Sequence, residues 1–138
     1  MYCTETKIRV RYGETDRMGY LYYGHYAEYF EVGRTEMLRS LGLTYKAMED
    51  DGIVLPVRSM SIQFRNPAHY DDLLTVKTYL KSFPQVRLEF IYEIVNDQGL
   101  IHCKGETVLV FVDAATRKIR KAPEYFTEAV RRVPGIIY

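Results

Sequence analysis

From its first residues the chain alternates apolar and polar positions. Ile8, Val10 and Tyr12 fall on one side and Lys7, Arg9 and Arg11 on the other, the period of a half-buried strand. Turn residues then crowd Gly13 to Gly19, which predicts a loop. From about Gly24 to Leu41 the period lengthens. Tyr26, Tyr29, Phe30, Gly33, Met37, Leu38 and Leu41 recur at steps of three and four, while Glu28, Thr35 and Arg39 fall elsewhere. This predicts an amphipathic helix of about five turns, with Gly42 as its stop. Gly33 in mid-helix costs about 1 kcal/mol against alanine. Close approach of a sheet is one reason for it, and tolerated drift is the other. A short second helix is expected over Thr44 to Asp50, ending at Gly52.

Strands follow. Met60, Ile62 and Phe64 alternate with Ser61, Gln63 and Arg65; Leu74, Val76, Thr78 and Leu80 with Thr75, Lys77, Tyr79 and Lys81; Val86, Leu88, Phe90, Tyr92 and Ile94 with Arg87, Glu89 and Glu93. Ile101 to Val112 is apolar or β-branched almost throughout, as a central strand would be. Asn66-Pro67, Phe83-Pro84 and Asn96-Asp97-Gln98-Gly99 separate these runs. Ala122-Pro123-Glu124 opens a short C-terminal helix with Pro123 at its first position. The short connections imply antiparallel neighbours, so one long helix faces one antiparallel sheet, an α+β pair of layers. Strand faces such as Glu89, Ile91 and Glu93 mix charge with apolar side chains, and dimerisation is expected to bury part of that surface.

Composition narrows the function. With 138 residues and no linker or repeat, 1–138 reads as a single domain. A net charge of +1 is too even for a nucleic-acid or anionic-membrane partner. No run of apolar residues is long enough to span a membrane, and Met1 to Val10 carries Glu5, Lys7 and Arg9 in place of a signal core. Cys3 and Cys103 make no disulfide framework, which fits the cytoplasm. Thirteen tyrosines without a tryptophan suggest a half-wet surface lined with rings.

Candidate chemistry gathers in Arg11-Tyr12-Gly13-Glu14-Thr15-Asp16-Arg17-Met18-Gly19-Tyr20-Leu21-Tyr22-Tyr23-Gly24-His25-Tyr26. The long helix begins without a Ser, Thr, Asp or Asn cap at Tyr23 or Gly24, so its first amides need acceptors. Water on a glycine cap is one answer. A ligand oxygen, drawn by the positive end of the helix, is the other. Asp16 is the carboxylate nearest that helix start; like Glu14, it is by type a turn or capping residue. His25, His69, His102 and the two cysteines show no metal-ligand spacing, so no metal is expected. His102 and Cys103, adjacent on a strand, would face opposite sides and form no dyad. Phosphate-loop, dinucleotide and serine-nucleophile motifs are absent from the sequence.

Asp16-x-x-Gly19-x-x-x-Tyr23-Gly24-His25-Tyr26, followed by Tyr29-Phe30-Glu31-x-x-Arg34, resembles the signature of the hotdog-fold acyl-CoA thioesterases, in particular the 4-hydroxybenzoyl-CoA thioesterase type. Arg65-Asn66-Pro67-Ala68-His69-Tyr70-Asp71-Asp72 is similar to a turn between strands in that group. The resemblance implies a sheet wrapped around a central helix, paired as a homodimer or homotetramer with the site at the subunit interface. It implies that Asp16 is the catalytic carboxylate and that the Tyr23 amide polarises the thioester carbonyl. It implies that Lys81-Ser82-Phe83 contacts the coenzyme A phosphates, with a weaker contribution from Arg117 and Lys118. Many bacterial members carry a histidine at the Tyr23 position. Here the histidine comes two residues later, at His25, which leaves it to orient substrate or water. Gly19, Tyr20, Tyr22, Gly24 and Tyr26 complete the expected substrate-binding set. Coenzyme A enters as part of the substrate, and no separate cofactor is expected. The readings held against hydrolysis are an acyl-CoA-binding module without catalysis and another thioester enzyme such as a dehydratase.

Overall fold

The computed structural model describes residues 1–136; residues 137–138, the end of the expected 1–138 domain, lie outside the described residues. The chain opens with β1 (Tyr2–Arg9), in which half-buried Tyr2, Thr4, Thr6 and Ile8 alternate with exposed Cys3, Glu5, Lys7 and Arg9. The strand therefore starts earlier than its apolar residues suggest and stops before Arg11. Tyr12, expected to face inward with Ile8 and Val10, is 77% exposed in a 3-10 turn (Tyr12–Glu14). The reason is local: Val10 still pairs with the segment before β4 through its bonds to Asp71 and Asp72, and Glu14 then folds back on the Arg11 carbonyl.

A second 3-10 turn (Tyr23–His25) leads into α1 (Tyr26–Ser40). Of the expected apolar stripe, Tyr26, Tyr29, Phe30, Gly33, Met37 and Leu38 are buried, with Arg34 added; Leu41 lies just past the helix as its C-cap and is half-buried. α2 (Tyr45–Asp50) starts one residue later than expected, because Thr44 is its cap: Thr44 Oγ1 accepts the Ala47 amide at 3.1 Å. There follow β2 (Ile53–Val54), β3 (Val57–Phe64), β4 (Leu73–Leu80), β5 (Arg87–Val95), β6 (Ile101–Val110), β7 (Val112–Asp113) and α3 (Glu124–Arg131). Pro123 caps α3 from outside and does not occupy its first turn.

The five-stranded sheet is antiparallel, in the order β1-β4-β5-β6-β3, and β2 pairs with β7. β4, β5 and β6 form the expected meander. β3 does not sit beside β4: that place belongs to β1, and β3 lies at the far edge on β6, with Met60 opposite Thr107 and Phe64 opposite Cys103. The connection after Phe64 crosses the end of the sheet. Its Arg65 and Asn66 amides bond the His102 carbonyl, and its Asp71 and Asp72 bond Val10. The apolar run from Ile101 is therefore second from the edge, and β5 is central. The far end of that run is covered by α3, where Phe126 meets Phe111 edge-on at 5.0 Å.

Helix and sheet approach closely at two glycines. Phe30 stacks on Tyr92 at 4.3 Å, and a Cβ at Gly105 would lie within 2.5 Å of the Phe30 ring. A Cβ at Gly33 would stand 2.8 Å from Val76 Cγ1 and closer still to Thr78 Oγ1. Close approach of the sheet is thus the reason for Gly33. Against the sheet-facing side of α1, β3 is the exception: Met60 and Phe64 stand opposite inward residues of β6, yet they are 48% and 54% exposed.

Candidate active site

Glu14 ties the site's loop to the helix. It is buried, and its Oε1 accepts the Arg11 amide at 2.9 Å and the Tyr29 hydroxyl at 2.8 Å; Arg11 Nη2 donates to Oε2 at 3.3 Å. Burial alone would raise this carboxyl. The bonds from the Arg11 amide, Tyr29 and the Arg11 guanidinium outweigh it and hold Glu14 below the usual carboxylate range. Burial, reinforced by the bond to Glu14, pushes the Tyr29 phenol upward. The Glu14 carbonyl also accepts the Tyr22 amide at 2.9 Å, so one residue fixes both the loop and the start of the 3-10 turn at Tyr23.

Asp16 shapes the turn it sits in. Its Oδ1 accepts the Met18 amide at 2.9 Å and the Tyr20 amide at 3.1 Å, and its own amide bonds the Tyr20 carbonyl at 2.8 Å. Gly19, at φ +82°, donates its amide to the Asp16 carbonyl; its part is to turn the backbone. Oδ2 accepts no hydrogen bond among the described residues. Opposite lies the helix start. Tyr22 and His25 supply no side-chain cap, and the Tyr23 and Gly24 amides find no acceptor among the described residues.

Between them is a cavity of about 250 Å³. Asp16, Tyr20, Tyr23 and Tyr26 line it from the loop and helix; Phe64, Arg65 and Asn66 line it from the end of β3. Phe64 meets Tyr26 edge-on at 5.4 Å and Tyr23 at 6.3 Å. Burial, with the neighbouring Cys103 thiol, pushes the Tyr26 phenol up to about 12 against the opposing Ala68 amide, so this hydroxyl stays neutral in the wall.

The structure thus brings Asp16, Tyr20, Tyr23 and Tyr26 together. Gly19, Tyr22, Gly24 and His25, also of the expected set, do not line the cavity. Tyr22 lies over Gly24, where a Cβ would come within 2.7 Å of its ring, and against Tyr23 at 4.5 Å. A side chain at Gly24 would have to displace that ring. His25 turns to Glu28, with Nδ1 3.3 Å from Oε2. Glu14, His25 and Glu28 hold their ligand atoms within 4.8 Å of one another, a grouping the sequence spacing did not reveal. Both Glu14 oxygens there are already engaged by Arg11 and Tyr29.

Lys81, Ser82 and Phe83 follow the other end of β4. Leu73 pairs with Arg9 beside the Asp16 loop and Leu80 with Tyr2, so about 23 Å of strand separates the two ends. Ser82, Phe83 and Arg87 line a second cavity of about 290 Å³; Lys81 Nζ is 4.0 Å from Glu89, and the Arg131 guanidinium stands 5.5 Å over the Phe83 ring. Within one chain these residues do not meet Asp16. The sequence reading missed Phe64, Arg65 and Asn66 as cavity walls and Glu14 as a buried anchor. Arg65-Asn66-Pro67 stood out only as a turn, because its place beside Asp16 depends on the pairing of β3 with β6.

Residues 10–130 match the family model of the thioesterase-like superfamily. The chain belongs to that superfamily. Among its members, it is 34% identical over 131 residues to the putative acyl-CoA thioesterase YneP of Bacillus subtilis, covering 92% of this chain and 95% of that one. It is 32% identical over 117 residues to the acyl-CoA thioester hydrolase YbgC of Escherichia coli O6:H1, covering 85% and 87%. The crystal structure of a DHNA-CoA thioesterase from Staphylococcus aureus superposes with a TM-score of 0.90 at 34% identity, over 96% of this chain and 91% of that one. The superfamily member described here therefore has the hotdog fold, with its antiparallel sheet wrapped on one long helix. Among the described residues no helix is long and apolar enough to cross a membrane.

Proposed function

We propose that this chain hydrolyses acyl-CoA thioesters to the free acid and coenzyme A, with the acyl carbonyl held between Asp16 and the start of the long helix. One observation carries the reading: Asp16 and Tyr23, a carboxylate with an unengaged oxygen and a residue with an unengaged amide, line the same ring-walled cavity. The Tyr23 amide, supported by Gly24 and by the positive end of α1, receives the negative charge that develops on the carbonyl oxygen. One such donor is worth about 2.7–4 kcal/mol of barrier. Asp16 Oδ2 either takes a proton from water or attacks the carbonyl directly and forms an anhydride that water then opens. The leaving thiolate belongs to a thiol of pKa about 8.5, so it departs without a general acid. So few groups suffice for a thioester and would not suffice for an amide. Tyr20, Tyr23, Tyr26 and Phe64 suit acyl or aryl-acyl groups, in keeping with the DHNA-CoA thioesterase that shares the fold. His25, paired with Glu28, takes an orienting part at most.

The working form is a homodimer or homotetramer with the site at the subunit interface. The exposed apolar side chains of β3 support this, as does the distance of Lys81, Ser82 and Phe83 from Asp16 in one chain. These three residues then hold the coenzyme tail of a site completed by a second copy. Free thiols at Cys3 and Cys103 support a cytoplasmic setting.

The test is release of free thiol from short, long and aromatic acyl-CoAs by the wild-type chain and by Asp16→Asn. Asparagine keeps the Oδ1 bonds to Met18 and Tyr20 and removes the charge. A fall in kcat of about 100-fold or more is expected in a folded variant; near-normal hydrolysis would overturn the assignment. Ligand binding by calorimetry without thiol release would identify a binding module, and an enoyl product a dehydratase.

A further inference from the structure

His102 is a buried histidine near the start of β6. It is 3% exposed, and its Nε2 is buried with no hydrogen-bond partner. Its other nitrogen is committed: Nδ1 lies 3.0 Å from the Asn66 carbonyl oxygen. A carbonyl only accepts, so the proton of that bond sits on Nδ1 and Nε2 is left bare. Burying a bare acceptor is unfavourable. The imidazole is therefore explained by its bond to Asn66.

The backbone around it has the same orientation. β5 pairs Ile94 with Cys103 and Val95 with Ile101, which leaves His102 as the extra residue of a bulge. Its carbonyl accepts the Arg65 amide at 2.9 Å and the Asn66 amide at 3.2 Å, and Asn66 Nδ2 donates to the Ile101 carbonyl at 2.8 Å. Four hydrogen bonds thus clasp Arg65 and Asn66, two walls of the cavity, to the start of β6. The same segment reaches the Asp16 loop from its other end, where the Leu21 amide bonds the Ala68 carbonyl at 2.7 Å and Tyr20 bridges to His69.

We propose that His102 is a positioning residue, which through its bond to the Asn66 carbonyl fixes the 65–69 segment against the Asp16 loop and so sets the width of the cavity. This rests on the hydrolase reading for its kinetic effect, and on the structure alone for its effect on the loop. His102 is not among the residues that line the cavity. It acts through Asn66.

The experiment compares His102→Leu, His102→Asn and His102→Gln in the full chain, using the acyl-CoA that the wild type cleaves fastest. Asparagine returns a donor near the Nδ1 position, glutamine places one near Nε2, and leucine supplies neither. For leucine, kcat is expected to fall about tenfold or more with KM within about threefold, because a slack wall misplaces the carbonyl without touching the coenzyme tail. Asparagine restores kcat, and glutamine does not. Hydrogen exchange at the Leu21 and Arg65 amides rises in the leucine variant while that of β4 and β5 does not. Wild-type kcat for leucine, equal loss for asparagine and leucine, or unchanged exchange at Leu21 would each overturn the proposal. If leucine does not fold, the contrast between asparagine and glutamine decides by the same criterion. If the wild type cleaves no acyl-CoA, the hydrolase reading fails, and exchange at Leu21 decides the clasp by itself.

Discussion

Glu14 and Asp16 are two residues apart and do different work. Asp16 keeps one oxygen unengaged at the cavity, whereas both oxygens of Glu14 are engaged beneath the loop. The engagement of Glu14 has a pH signature. Its folded-state carboxyl is held below the unfolded value of about 4.3. Its contribution to stability is therefore fully present above that value and is lost as pH falls through the lower, folded one. Glu14→Gln is expected to cost about 1–3 kcal/mol in urea unfolding at pH 7. The gap to wild type should close as pH falls through the folded-state value, below which the native carboxyl is also neutral. A gap independent of pH would show that charge is not the source. In sequence, Glu14 reads as a turn or cap, and it does accept the Arg11 amide as a cap would. Its burial under Tyr29 is not legible there, because it arises only once α1 has folded back across the loop.

At the level of elements, α1 and the sheet are separated by the missing side chains of Gly33 and Gly105. Alanine at 33 gains about 1 kcal/mol of helix propensity. Its methyl must enter space held by Thr78 and Val76, and overpacking of this kind costs about 1–3 kcal/mol. Gly33→Ala is expected to lower stability on balance, and Thr78→Ala in the same chain to recover part of the loss. Additive losses in that pair would count against steric contact as the cause. The stripe of α1 is legible because a helix writes its contacts at steps of three and four. Tyr26, Tyr29, Phe30, Met37 and Leu38 are all buried as their spacing predicts. The partner of β3 is not legible. Alternation places Met60 and Phe64 on one face, but it does not say which strand lies alongside or whether a helix covers that face.

Over the whole molecule, an uncovered feature is this β3 edge, whose Val57, Met60 and Phe64 are exposed even though Phe64 meets Tyr26 at the start of α1. A second copy seated there removes apolar surface from water, and a charge there opposes it. Met60→Asp, outside the cavity wall, is expected to keep the circular dichroism of the wild type and to sediment as a monomer at micromolar concentration where the wild type sediments as a dimer or tetramer. A wild-type chain that is itself monomeric there would remove the oligomer from the proposal. The antiparallel pairing of β1 with β4 sets the acidic loop and the Lys81 segment at opposite ends of the protomer. In the proposed assembly each centre would draw its acid from one chain and its tail-binding lysine from the neighbour. Two crippled polypeptides, one damaged at each end, would then complement each other when mixed, because every hybrid pair would contain one centre with both lesions and one with neither.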